Sequence, residues 1–126
     1  MSSSTARILV VDDEELIRLN LVAFLEDEGY DMISAESGED ALLLITSAQP
    51  VLGIMDMRLP GMNGNELILK AHELHPAMTF LIHTGSSAYI LPEELKQIGI
   101  QPDQVFMKPI SDMTLLLTAI QQLIKR

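Results

Sequence analysis

The sequence predicts an α/β fold in which five parallel strands form one sheet with helices on both faces. Three observations predict it. Short apolar runs of strand length recur along the chain. Between them lie segments whose apolar residues have helical spacing. The two kinds alternate five times, with no internal repeat, low-complexity stretch or interdomain linker. Such alternation lays parallel strands side by side and packs their crossover helices on the sheet faces.

The elements follow in order. Ile8–Val11 is a continuous apolar run, as expected of a strand buried on both faces. Apolar spacing predicts a helix from Asp13 to Glu28, closed by Gly29. Asp31–Ala35 reads as a second strand, and Ser37 as the cap of a helix over 38–48 that Pro50 ends. Val51–Met55 is a third strand, followed by a loop through Leu59-Pro60-Gly61-Met62-Asn63-Gly64 and a helix over 65–75. Met78–His83 is a fourth strand, Pro92–Ile98 a short helix, and Val105–Met107 a fifth strand. Asp112–Lys125 is the last helix, with Lys125 and Arg126 near its negative end.

At 126 residues the chain is expected to form a single domain with a full core, its Ser-rich first six residues fraying. There are no cysteines, which removes disulfides, thiolate catalysis and Cys-based zinc sites. No run approaches the ~20 apolar residues of a membrane span, and no secretory h-region opens the chain, so a cytoplasmic location is expected. The net charge is −10, and residues 1–40 hold eleven acids against Arg7 and Arg18. That surface repels nucleic acid and anionic membranes.

Ligands of open parallel sheets bind beyond the carboxyl ends of the strands. Asp12 and Asp13 follow the first strand, Asp56 the third, Thr84 the fourth, and Lys108-Pro109 the fifth. Taken singly, an acidic pair before a helix is an N-cap, an Asp after a strand is a turn former, and a Thr or Lys is structural or solvated. Together they put three carboxylates, a hydroxyl and an ammonium on one rim. Clustered carboxylates repel unless a cation joins them, and a hard ion such as Mg²⁺ suits oxygen ligands. One carboxylate can then act as a nucleophile toward phosphorus, with Lys108 and Thr84 stabilising the phosphoryl oxygens. Asp56, ending a central strand among apolar residues, is the best candidate.

These residues carry a resemblance. ILVVDDEE at 8–15, MDMRLPGMNG at 55–64, Thr84-Gly85 and Lys108-Pro109 resemble, in order and spacing, the receiver domain of bacterial two-component response regulators. The resemblance spans roughly residues 7–124. It implies a flavodoxin-like, doubly wound sheet of order 2-1-3-4-5. It implies that Asp56 accepts a phosphoryl group from a histidine kinase or a histidine phosphotransfer protein. Asp13 and Asp56 would bind Mg²⁺ directly, with Asp12 assisting and the Arg58 backbone carbonyl as a further ligand. Thr84 and Lys108 would contact the phosphoryl group, and Lys108-Pro109 would be cis. The output would pass through protein contacts to a downstream partner, without turnover of an external substrate. Homodimerisation, and a place in a larger regulator or hybrid kinase, stay open.

The chain also departs from that pattern. The family often carries an aromatic three residues before the lysine, where this chain has Val105, with Phe106 beside it. Ser86–Gln104 is unusual, with Tyr89, Pro92 and Pro102. Arg58 and Ser86 flank the expected path of a hydrolytic water, and a bulky Arg58 is expected to slow its attack; the other reading is a solvated arginine. His72 and His75 have i,i+3 spacing but read as exposed rather than as metal ligands, and His83 reads as packing. An aspartyl phosphatase would want an acid where Arg58 stands. Flavin binding would want a phosphate cradle where the acids 12–15 stand. A receiver-like binding module independent of phosphorylation is the remaining alternative.

Overall fold

In a computed structural model, residues 6–124 are described. Met1–Thr5, Lys125 and Arg126 lie outside the described residues, and with them most of the N-terminal fraying and the terminal charge–dipole contact expected above. The elements are β1 (Arg7–Val11), α1 (Glu15–Asp27), β2 (Asp31–Ala35), α2 (Gly38–Ala48), β3 (Leu52–Met55), α3 (Gly64–Leu74), β4 (Thr79–Thr84), α4 (Glu93–Gln97), β5 (Val105–Met107) and α5 (Met113–Ile124). All strand pairs are parallel, in the order β2-β1-β3-β4-β5. The expected fold class and strand order are both found.

Strand alternation divides the core in two. Leu9, Val11, Met55, Phe80 and Ile82 face α2, α3 and α4, against Ala41, Ile45, Leu67, Ile68 and Leu95. Ile8, Val10, Leu52, Ile54 and Leu81 face α1 and α5, against Leu21, Leu25, Leu116 and Ile120. Both faces of each central strand are therefore covered, which is why Ile8–Val11, Leu52–Met55 and Phe80–Ile82 carry no charged or polar side chain.

Helix ends follow local chemistry. Ser37 Oγ accepts from Asp40 N–H at 3.2 Å and starts α2. Asn63 and Glu66 form a reciprocal capping box that starts α3 at Gly64, one residue before the expected start. By contrast α1 has no side-chain cap. A cap is worth ~1 kcal/mol, whereas burying Leu21 and Leu25 contributes ~1.5–3 kcal/mol each, so packing carries this helix. It begins at Glu15 rather than Asp13 because Asp12 Oδ1 takes the Glu14 N–H at 2.9 Å and holds 12–14 in a turn. α4 has only five residues, with Pro92 before it and Gly99 at φ +103° after it. The chain then makes a 3₁₀ turn over Pro102–Gln104, pinned by Gln104 Nε2 donating to Phe80 O at 2.7 Å.

Candidate functional site

Three of the rim residues are held by the sheet itself. Asp12 N–H donates to Ala35 O at 3.2 Å, Asp56 N–H to Val11 O at 3.0 Å, and Lys108 N–H to Thr84 O at 2.8 Å. Each bond extends a parallel ladder by one step beyond the strand, so the backbone of the site is fixed by its neighbours. Thr84 is the last residue of β4. The Lys108-Pro109 bond is cis, as expected.

The side chains converge. Asp12, Asp13 and Asp56 each offer a carboxylate oxygen, and these oxygens all lie within 4.8 Å of one another. Lys108 Nζ lies 2.9 Å from Asp12 Oδ2, 3.2 Å from Asp56 Oδ2 and 3.7 Å from Glu14 Oε2. Asp12, Asp56 and Thr84 are buried, while Asp13 is exposed. A cleft of about 210 Å³ is lined by Asp13, Asp56, Arg58, Thr84, Ser86 and Lys108, among others.

Charge does not balance here. Burial, and then the charge of Asp12, push the Asp56 carboxyl above the usual range, against the Arg58 N–H and Lys108. Burial works against the Lys108 charge, but hydrogen bonding to Asp12 and the charge of Asp56 outweigh it and hold its pKa up. One ammonium thus serves three carboxylates. Asp12 Oδ2 is buried, and among the described residues its partner is that shared ammonium, at 2.9 Å. Oxygens of three carboxylates within 4.8 Å of one another, two of them sharing one ammonium, fit a hard divalent cation, whose charge would offset the repulsion.

Comparison with known proteins places the chain in a family. A sequence profile described as Response regulator receiver domain matches residues 8–121. The chain belongs to the response regulator receiver domain family. It is 32% identical over 93 residues to sporulation initiation phosphotransferase F of Bacillus subtilis, covering 74% of this chain and 75% of that one. It is 35% identical over 95 residues to the response regulator GacA of Pseudomonas protegens, covering 74% of this chain but only 45% of that protein. Among solved structures it resembles the response regulator TrrA bound to the histidine kinase ThkA (29% identity, TM-score 0.82, 96% of this chain and 100% of that one). It also resembles a Burkholderia pseudomallei response regulator that carries a phosphorylated aspartic acid and a calcium ion (27% identity, TM-score 0.79, 92% and 66%). None of these likenesses favours a phosphorylation-independent module.

In this receiver Asp13, Asp56, Thr84 and Lys108 line the cleft, and Asp12 sits buried behind it, within 4.8 Å of the other two carboxylates and paired with Lys108. Reading the sequence missed four others. Glu14 adds a fourth carboxylate near Lys108. Arg18 Nη1 donates to Asp12 O at 2.9 Å and steadies the acidic turn. Gly64 packs against the Asp56 carbonyl, where an added Cβ would lie 2.3 Å from that oxygen. Tyr89 bonds to Asn65 across the fold. The local sequence marks Gly64 only as a turn residue, Glu14 only as one of the acids after the first strand and Tyr89 only as an oddity of its segment, and it does not mark Arg18.

Of the histidines, His72 and His75 are half-buried rather than exposed; His75 N–H closes α3 on Ala71 O at 2.8 Å. His83 is buried with both ring nitrogens unpartnered, beside Ile17, Leu21 and Met113. Burial, and then the Lys108 charge, pull its pKa from 6.5 to about 4, with Asp12 opposing. The unfolded chain therefore binds this proton first as pH falls. Stability that is full above pH 6.5 is lost toward pH 4, by up to ~3 kcal/mol. His83→Phe should flatten that fall in denaturant titrations across this range, and an unchanged slope would count against the assignment.

No helix of the described residues is long and apolar enough to cross a membrane.

Proposed function

We propose that this chain is a phosphoacceptor switch, a single receiver domain in which Asp56 takes a phosphoryl group from a histidine kinase or histidine phosphotransfer protein. The observation that carries the reading is the buried Asp56 carboxylate, one oxygen 3.2 Å from Lys108 and the other accepting the Arg58 N–H at 3.3 Å. Asp12, Asp13, Asp56 and the Arg58 backbone carbonyl would hold Mg²⁺. When bound, that ion neutralises charge on the carboxylates and on the phosphoryl oxygens.

An Asp56 oxygen attacks phosphorus, the P–N bond to the donor histidine breaks, and the freed imidazole nitrogen takes a proton. Lys108 offsets the negative charge carried by the transferring group, and Thr84 offers a hydroxyl to another of its oxygens. Burial of Asp56 limits water at the reacting carboxyl. The output is a shift of population toward the arrangement that binds the phosphoryl group better, a tenfold change for each ~1.4 kcal/mol of differential affinity. That arrangement is read by a downstream protein rather than by nucleic acid, in the cytoplasm, and no external substrate is turned over.

The test is incubation with acetyl phosphate, with and without Mg²⁺, followed by intact mass and peptide mapping. One phosphoryl group on the Asp56 peptide, dependent on Mg²⁺, supports the reading; no adduct where a control receiver is labelled overturns it. The exposed Arg58 side chain lines the cleft beside Asp56, so Arg58→Ala should speed loss of the label severalfold. Slower loss in the variant would show that the guanidinium does not hinder water.

A further inference from the structure

Residues 85–92, between β4 and α4, contain no helix or strand. Hydrogen bonds nevertheless run along them from the site. Ser86 N–H donates to Thr84 Oγ1 at 3.1 Å. Ala88 N–H donates to Ser86 Oγ at 3.3 Å, and Tyr89 N–H to Ser86 O at 3.2 Å. The Tyr89 hydroxyl then donates to Asn65 Oδ1, on α3, at 2.9 Å. Among the described residues this is the only hydrogen bond by which a side chain of 85–92 reaches another element. The Tyr89 ring is half-buried and packs on the core shared by α3 and α4.

The aromatic of β5 cannot serve this face. Val105 packs with the α2–α3–α4 core, and Phe106, one residue on, with the α1–α5 core. By strand alternation Thr84 shares its side with Ile82, hence with Val105 and not with Phe106. On the side of the sheet that Thr84 faces, Tyr89 is the aromatic joined to it by hydrogen bonds.

We propose that Tyr89 and Asn65 form a latch that holds the β4–α4 segment in its resting arrangement, and that capture of a phosphoryl oxygen by Thr84 opens it. The proposal rests on the acceptor reading of Asp56. Thr84 Oγ is both the donor offered to the phosphoryl group and the acceptor from which Ser86 N–H hangs. A move of that oxygen toward Asp56 either carries Ser86 along or leaves its N–H unpaired. Ser86 O in turn anchors Tyr89 N–H, while Asn65 stays on α3. When Ser86 is carried along, the hydroxyl bond is the link that stretches. Coupling is reciprocal, so the latch opposes phosphoryl binding by as much as that binding opposes the latch.

The probe is beryllium fluoride, an aspartyl-phosphate mimic, titrated by calorimetry at saturating Mg²⁺. Removing one neutral hydrogen bond from the resting state should tighten binding about two- to tenfold. Tyr89→Phe keeps the ring and its packing, and Asn65→Ala removes the acceptor. Each should show the gain, and the double variant should show no more than either alone. In a Tyr30→Phe background Tyr89 is the sole tyrosine of a chain without tryptophan, and its fluorescence should change as the mimic binds. Unchanged or weaker binding in either single variant, gains that add, or unmoved fluorescence with the mimic bound, overturns the latch. Failure of the unmutated chain to bind the mimic or take phosphoryl from acetyl phosphate overturns the acceptor reading itself, and the latch with it.

Discussion

Asp56→Asn should abolish phosphoryl labelling and at the same time raise the melting temperature of the metal-free protein. The loss follows from removing the nucleophilic oxygen; an amide at the same place does not form the acyl phosphate. The gain follows from the charge balance of the cleft. The Asp56 carboxyl titrates above the usual range, first because it is buried and then because Asp12 repels it. A carboxyl whose folded pKa is raised costs stability at neutral pH, where it must ionise, and the neutral isostere removes that cost. Lys108 keeps its 2.9 Å pair with Asp12 in the variant, so its own charge stays compensated. For a domain of this size each kcal/mol is worth about 3–5 °C. Mg²⁺ should stabilise the unmutated chain and do so much less in the variant, since a ligand stabilises whatever state binds it. Differential scanning fluorimetry with and without Mg²⁺ reads both effects. A metal-free variant that melts lower than the parent would mean that the Lys108 pair outweighs burial and repulsion.

Gly64→Ala should be the most damaging single methyl in the chain. Local propensity points the other way, since alanine is favoured over glycine in a helix by ~1 kcal/mol. But a Cβ at this position would lie 2.3 Å from the Asp56 carbonyl oxygen and 2.7 Å from Met57 Cα. Those are backbone atoms, and Gly64 N–H also donates to Met57 O at 3.1 Å. The β3–α3 loop must open to admit the methyl, and Asp56 shifts with it. Overpacking of this kind costs ~1–3 kcal/mol or somewhat more, so the net should be destabilising by roughly 2 kcal/mol. Labelling of Asp56 by acetyl phosphate should slow at least tenfold, because small displacements of a reacting group are costly. Stability within ~0.5 kcal/mol of the parent, with normal labelling, would show that the loop gives way freely.

Much of the fold and of the site could be read from the sequence, for a physical reason. The acids, the threonine and the lysine sit where apolar runs stop, and in a parallel sheet those stops share one rim. Ile8–Val11 and Val51–Met55 mark that rim without ambiguity. What escaped depends on distance or on close approach. Tyr89 and Asn65 are 24 residues apart, and no period links them. Gly64 looks like any turn glycine beside an asparagine; its necessity lies in a carbonyl eight residues back that the fold brings against it. Glu14 read only as part of a helix, but the Asp12 side chain caps the turn before that helix and leaves Glu14 beside the cleft. Phe106 was visible as a displaced aromatic, yet only alternation along β5 turns that displacement into a change of sheet face.

The ladder bonds at Asp12, Asp56 and Lys108 have a consequence for how this receiver fails. Those amides continue the β1–β2, β1–β3 and β4–β5 ladders and open only when those strand pairs part. Residues 85–92 hang from a hydroxyl, two turn bonds, one phenol and the buried Leu91 side chain, and segments with so few anchors detach locally at a fraction of the global free energy. Warming or mild denaturant therefore uncouples the molecule from one end. Heat would thus do part of what the phosphoryl group does, freeing the latch, so that a warmed chain drifts toward announcing a signal it has not received.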